Sequence, residues 1–362
     1  MILPAGAFAE RLLAWFDDHG RHDLPWQQDP TPYRVWVSEI MLQQTRVGSV
    51  ISYYQRFMRR FADVQALAEA DIDDVLHLWT GLGYYARGRN LHKAAVILCR
   101  DHAGRFPGSL EELTALPGIG RSTAGAILAL GFNRRQPILD GNVKRVLTRV
   151  FAIDGWPGRT PVANQLWSLA AELTPAHRVA DYTQAIMDLG ATLCTRGKPV
   201  CERCPLSGQC LAHARGETAR YPEPKLAKAK PVRRITFLLL ENADGELLLQ
   251  RRPPSGIWGG LWGFPECADE SGVVERLGEL GLRLQLQQQR GLAPLRHTFS
   301  HFHLDINPEH CAVTETPGNV ADADTLCWYS GGQRLGLAAP VKKLIETTEL
   351  MNDANRTMRK AG

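Results

Sequence analysis

Four cysteines, Cys194, Cys201, Cys204 and Cys210, fall within the short run CTRGKPVCERCPLSGQC as C-x6-C-x2-C-x5-C. Thiolates so spaced can wrap one tetrahedral metal ion or an iron–sulfur cluster, and spacing alone does not choose zinc over iron. The remaining cysteines, Cys99, Cys267, Cys311 and Cys327, are scattered and read as small buried apolar residues. A second chemical group is Glu39, alone among apolar residues in VWVSEIMLQQTRV (35–47). Burial there disfavours the charged form and should raise the carboxyl pKa, although periodicity also allows a helix-terminal charge. The third is a glycine turn, LPGIGRSTAGAIL (116–128). Ser109 and Glu112 form a capping box that opens a short helix, Pro117 and Gly118 stop it, and Gly120 permits a tight approach before a second helix. That helix would bury Ala124, Ile127 and Leu128 on one face. The unpaired N–H groups at its start suit a phosphate, a contact independent of base sequence. A plain helix–turn–helix connection would carry the same residues.

These groups need a scaffold, and 362 residues suffice for two domains or three. Hydrophobic content of 44%, charged content of 22% and a net charge of +4 are those of a globular protein compatible with nucleic-acid binding. The first twenty residues lack a basic, apolar leader, and no apolar run approaches the ~20 residues of a membrane span. A cytoplasmic protein, nucleoid-associated if bacterial, is expected. Such a setting argues against a disulfide framework and for a metal site at the cysteine cluster. Apolar residues recur at helical spacing at 49–61, 91–103 and 162–173, so residues 1–213, with the cysteine loop 194–210, read as one helical domain. Residues 214–234, rich in Ala, Lys, Arg and Pro, read as an exposed linker whose basic residues are either solvated or in contact with DNA. Residues 235–348 read as an α+β domain. Its first strands flank the turn Asn242–Ala243–Asp244–Gly245, β-like runs follow at 283–290 and 299–306, and helical patterns lie at 271–280 and 339–350. Residues 349–362 read as a flexible tail.

LPGIGRSTAGAI resembles the helix–hairpin–helix of the endonuclease III superfamily of DNA glycosylases. ILDGNVKRV (138–146), at the expected distance beyond it, resembles the segment bearing that superfamily's catalytic aspartate, here Asp140. The cysteine pattern resembles the superfamily's 4Fe–4S loop, implying a structural cluster on Cys194, Cys201, Cys204 and Cys210. Arg196, Lys198 and Arg203 would then lie near DNA or simply be solvated. VWVSEIMLQQTRV is similar to the catalytic helix of MutY-type adenine DNA glycosylases, with Glu39 at the place of the catalytic glutamate. The resemblance implies a multidomain fold: an all-α helix–hairpin–helix glycosylase domain with an iron–sulfur loop, then an α+β Nudix-like domain. Releasing a base from deoxyribose requires protonating the leaving base and stabilising a sugar cation, demands that glycoside hydrolysis meets with two carboxyl groups. By resemblance, Glu39 protonates adenine at N7 and later activates or orients water. Asp140 stabilises the sugar cation, electrostatically or by transient attachment, and Asn142 and Ser122 hold the carboxylates or water. The strand-cutting branch carries a lysine where Ser122 stands; serine forms no Schiff base, so a monofunctional enzyme is expected.

A base in a duplex must be flipped before such chemistry. The resemblance assigns Gln43 and Gln44 to the wedge and its neighbour, and Tyr84 of GLGYYARGRNL to intercalation beside the opposing base. Leu24, Trp26 and Gln184 are assigned to the adenine pocket, and Gly118 and Gly120 to the DNA backbone, with room for a monovalent or divalent cation at the hairpin. The alternative for Tyr84 and Tyr85 is a place in the core. Residues 235–348 resemble the Nudix fold. Laid on 260–282, the hydrolase box G-x5-E-x7-R-E-U-x-E-E-x-G-U (U aliphatic) keeps Gly260, Glu266, Glu275, Glu279, Gly281 and Leu282. Val274, Arg276 and Gly278 break it, so a domain kept for recognition rather than pyrophosphate hydrolysis is expected. Phe299, Ser300 and His301 resemble the loop that recognises 8-oxoguanine. The expected partner is double-stranded DNA with 8-oxoguanine:adenine or guanine:adenine mispairs, met by a monomer without a membrane; the motifs name no protein partner. The rival readings are a thymine- or pyrimidine-mismatch glycosylase, a silent mismatch binder and a Nudix hydrolase.

Overall fold

The structure, a computed structural model, describes residues 4–226, 229–269, 272–315 and 325–348. The tail expected at 349–362 lies outside them. Contacts divide the chain into two compact units, Met1–Glu69 with Asn90–Ala227, and Ala70–Arg89 with Lys228–Gly362. The twenty-residue segment Ala70–Arg89, read from sequence as part of the helical domain, thus groups with the C-terminal residues.

The first unit is helical. Ala5–His19, Pro32–Leu42, Val47–Arg60, Gly141–Val150, Thr160–Leu173, Val179–Thr192 and most of Ala86–His102, which starts in the other unit, are its longer helices. Pro32 occupies the first helical turn behind the N-cap Thr31, whose side chain accepts from Arg34 N–H. The capping box forms: Ser109 Oγ accepts from Glu112 N–H and donates to the Glu112 carboxylate, opening Leu110–Ala115. Arg121–Ala126 runs on into a π-turn, Ile127–Gly131. Phe8, Leu12, Val146, Leu147, Leu166, Ala185 and Leu189 meet in its core.

That core also takes in Tyr221, and Thr218 and Tyr221 carbonyls accept from the buried Arg149 guanidinium. Val232–Arg234 join a strand. The described residues of the linker expected at 214–234 are mostly exposed, as expected, but Tyr221 is buried and the Thr218 and Tyr221 carbonyls tie it into the helical unit, while Val232–Arg234 already belong to a strand.

Among the described residues, the second unit is built on an eight-stranded mixed sheet. Its strands are β1 (Val232–Glu241), β2 (Leu247–Arg251), β3 (Trp262–Gly263), β4 (Glu266–Cys267), β5 (Leu282–Gly291), β6 (Leu295–Thr298), β7 (His303–Glu315) and β8 (Leu326–Tyr329). β1 and β7 pair in parallel from Val232↔His303 to Glu241↔Ala312, and β1–β2 is the expected hairpin, with Gly245 at φ +81°. The strand expected at 299–306 is a turn over 299–302 followed by the longer β7, because Phe299 N–H bonds the Phe302 carbonyl. Leu238, Leu240, Cys311 and Val313 pack under the helix Val273–Glu279. Of the scattered cysteines only Cys311 is fully buried; Cys99, Cys267 and Cys327 are half-buried. A second helix, 339–348, buries Val341, Leu344 and Ile345.

Candidate active site and cysteine cavity

Glu39 lies on the inner face of Pro32–Leu42, with Val35, Trp36, Val37, Ile40 and Met41 buried about it. Its side chain is ringed by protein yet keeps some solvent access. Burial first, and the negative charge of Asp140 second, push its pKa up to about 8.

Asp140 caps the helix Gly141–Val150. Its Oδ1 accepts from Val143 N–H at 2.8 Å and its Oδ2 from the Asn142 amide at 3.0 Å. Burial raises the Asp140 pKa, while those N–H donors and the Arg145 charge oppose the shift. Asn142 in turn accepts from Arg145 Nη2 at 2.7 Å; the same nitrogen reaches the Gly190 carbonyl, and Arg145 Nε donates to the Cys194 carbonyl at 2.7 Å. Arg149, one turn further, donates to Cys194 Sγ at 3.3 Å. Asn142, Arg145 and Arg149 stand at i, i+3 and i+7 on one helix face; Asn142 is expected from the sequence, Arg145 and Arg149 are not, though their helical spacing could have found them.

Three close approaches hold this arrangement. A Cβ on Gly125 would lie 2.4 Å from the Pro137 carbonyl oxygen, just before Asp140. One on Gly190 would lie 2.5 Å from Asn142 Cβ, and one on Gly131 would lie 2.9 Å from Pro32 Cα, at the start of the Glu39 helix. Ser122 Oγ accepts from Leu139 N–H at 3.0 Å, so the serine ties the second hairpin helix to the residue before Asp140 rather than touching a carboxylate. Gly118 needs its glycine twice over, at φ +80° and 2.9 Å from Asn90 Cβ. Gly120, the N-cap of the second hairpin helix, has ordinary φ and no protein atom within 4 Å of a would-be Cβ. A side chain there would meet no protein, so neither the turn nor packing requires glycine at 120.

The remaining expected site residues are placed as follows. Gln43 Nε2 donates to Thr123 Oγ1 at 3.4 Å, while Gln44 is exposed with a left-handed backbone, φ +58°. Leu24 and Trp26 are buried, the Trp26 ring edge-on to Tyr54 at 5.5 Å. Gln184 is buried, but its amide donates to Asp188, which also takes Arg21 N–H and the Arg21 guanidinium. Its amide nitrogen is thus committed to Asp188, because a fully buried carboxylate needs its donors. Tyr84 is half exposed at φ +49° and belongs to the second unit.

In that unit Phe299 stacks on Phe302 at 4.5 Å, and Ser300 and His301 stand exposed on the turn above. Lys230 Nζ holds the Phe299 carbonyl at 2.8 Å. Of the Nudix-box carboxylates, Glu266 is ion-paired with Arg252 and Glu279 with Arg276.

Cys194, Cys201, Cys204 and Cys210 line one partly open pocket, whose other walls include Val146, Leu189, Leu193 and Leu206. Among the described residues no three His, Cys, Asp or Glu side chains gather tightly enough to hold a single metal ion. Burial pushes the Cys204 thiol up to about 12, so its ionisation needs a cationic partner. Four thiols around such a cavity, with Arg149 beside Cys194, fit a multinuclear cluster. Arg196, Lys198 and Arg203 are exposed on this loop. No helix among the described residues is long and apolar enough to cross a membrane.

The family model described as HhH-GPD superfamily base excision DNA repair protein matches residues 37–172, and a NUDIX domain model matches 236–347. An adenine DNA glycosylase of Buchnera aphidicola subsp. Acyrthosiphon pisum is 37% identical over 94% of this chain and 97% of its own. The Homo sapiens adenine DNA glycosylase is 38% identical over 84% of this chain and 66% of its own. A thermostable thymine-DNA glycosylase structure aligns over 59% of this chain and 97% of its own, with 26% identity and a TM-score of 0.54. The spread of identity over both units, carboxyl-bearing helices and sheet alike, makes the chain a member of the adenine DNA glycosylase family of base excision repair.

Proposed function

We propose that this protein hydrolyses the N-glycosidic bond of adenine paired with 8-oxoguanine or guanine and leaves the abasic strand intact. The observation that carries the proposal is the carboxyl pair, with Glu39 held near a pKa of 8 beside an Asp140 fixed by Val143 and Asn142. A carboxyl that stays protonated at neutral pH is a general acid for the departing base. Asp140, with both oxygens oriented, offers negative charge where the sugar cation develops. The open front of the helix at Gly120 suits a phosphate, and the exposed Ser300 and His301 suit the altered N7/C8 edge of 8-oxoguanine. Ser122 has no amine for strand cleavage. Cys194, Cys201, Cys204 and Cys210 would hold a 4Fe–4S cluster, which supplies cross-links closing the loop and takes no part in bond cleavage.

Single-turnover assays on duplexes bearing adenine opposite 8-oxoguanine, adenine opposite guanine and thymine opposite guanine, each read with and without alkali, test this. Adenine release with breaks only after alkali is expected. Thymine release, or breaks without alkali, overturns it.

A further inference from the structure

The segment Ala70–Arg89 is held to the second unit by polar contacts along its whole length. Asp73 Oδ2 accepts from the Arg251 guanidinium and, at 3.2 Å, from Trp262 Nε1. Thr80 Oγ1 takes Leu337 N–H at 3.2 Å, Tyr85 OH donates to the Leu337 carbonyl at 2.8 Å, and Arg89 reaches the Gly259 carbonyl. Packing is as close: a Cβ on Gly336 would lie 2.5 Å from Leu76 Cβ. The loop between these anchors is stiff. Gly81, Gly83 and Tyr84 all have left-handed backbones, at φ +95°, +77° and +49°. Trp79 Nε1 and Arg87 Nη2 both donate to the Gly83 carbonyl, at 3.2 and 3.1 Å. Left-handed backbone at a tyrosine is strained and persists only where its surroundings impose it. The imposed result is a half-exposed ring, with the Arg87 guanidinium 5.6 Å from its centroid.

Phe299, Ser300 and His301 belong to the same unit. We infer that Asp73 is a positioning residue: it clasps the Tyr84 loop to the sheet of the second unit and so fixes the Tyr84 ring. The chemistry, at Glu39 and Asp140, lies wholly in the other unit. This rests on the proposed function together with the expected stacking of Tyr84 beside the opposing base.

The test is a double-mutant cycle on the full-length protein with Asp73→Ala, Tyr84→Ala and the pair. It reads single-turnover excision and binding to a non-cleavable adenine:8-oxoguanine duplex. Loss of one base–aromatic stack corresponds to about fivefold or more in affinity, so each single variant is expected to lose about that much. In the Tyr84→Ala background, Asp73→Ala should cost less than about twofold, because coupled residues are not additive. Asp73→Asn keeps an acceptor for Trp262 and Arg251 and should retain most of the function. Amide exchange in residues 81–85 should quicken in Asp73→Ala and not in Asp73→Asn. Additive losses, or unchanged exchange in the loop, overturn the clasp. A silent Tyr84→Ala instead overturns the stacking role itself and with it the function of the clasp. Should Asp73→Ala fail to fold, Trp262→Phe breaks the same contact more gently and must show the same non-additivity.

Discussion

Glu39→Gln preserves the side chain's shape and removes its titration. With the carboxyl moved from an ordinary 4.5 up to about 8, roughly nine molecules in ten carry the proton at pH 7, against roughly three in a thousand without the shift, a gain of about 300-fold in available acid. Because the acid must enter protonated, base release should fall as pH rises through about 8. Bound DNA moves that limb upward, since its phosphates also favour the neutral carboxyl. The same shift acts on stability with a definite sign. Between 4.5 and about 8 the folded protein holds a proton that the unfolded chain releases, so stability falls as pH rises through that window. At about 1.4 kcal/mol per unit the ceiling is about 5 kcal/mol, and water reaching the half-buried carboxyl reduces the expected effect to on the order of 1–3 kcal/mol. Glu39→Gln should therefore match the wild type in denaturant unfolding at pH 5 and exceed it at pH 8.5. Its single-turnover excision should drop by about 10²–10⁴, with duplex binding retained. Near-wild-type excision refutes the acid role, and a stability difference that does not grow with pH refutes the buried-carboxyl account.

Gly190→Ala drives a methyl group into Asn142 Cβ at 2.5 Å, so it should cost about 1–3 kcal/mol in denaturant unfolding and slow excision more than it weakens duplex binding. Equal loss of rate and affinity would argue against a role in placing Asp140. Ser122→Ala removes the acceptor of a part-buried Leu139 N–H and should lower stability by about 1–2 kcal/mol. Neither it nor the wild type should give a stoichiometric borohydride-trapped adduct, and a Ser122-dependent one in the wild type contradicts the monofunctional reading. Protein purified anaerobically should be brown and contain acid-labile sulfide, and Cys204→Ser should lose both and unfold at lower temperature. A colourless wild type without sulfide removes the cluster.

Local chemistry made much of this protein legible in its sequence. A capping box, a left-handed glycine, a lone carboxyl on an apolar helix and four spaced cysteines act through near neighbours, so Ser109, Gly118, Glu39 and the cysteine loop could be named before any fold existed. What the sequence left out depends on partners distant along the chain. Nothing near Gly190 announces that Asn142 sits against it, nothing near Tyr221 that Arg149 draws its carbonyl into the core, and nothing near Asp188, the acceptor of the Gln184 amide, that Arg21 also donates to it. The domain division shows the difference most plainly. By sequence Ala70–Arg89 is one more helical stretch between helices, whereas by contacts it belongs with the sheet, through Asp73, Tyr85 and Leu337. The sequence by itself determined which groups can do the chemistry, because acid strength, backbone freedom and thiol chemistry are properties of residues in their immediate setting. The tertiary structure alone decided which groups share a body, because close packing and buried hydrogen bonds are satisfied by whatever the folded chain brings within reach.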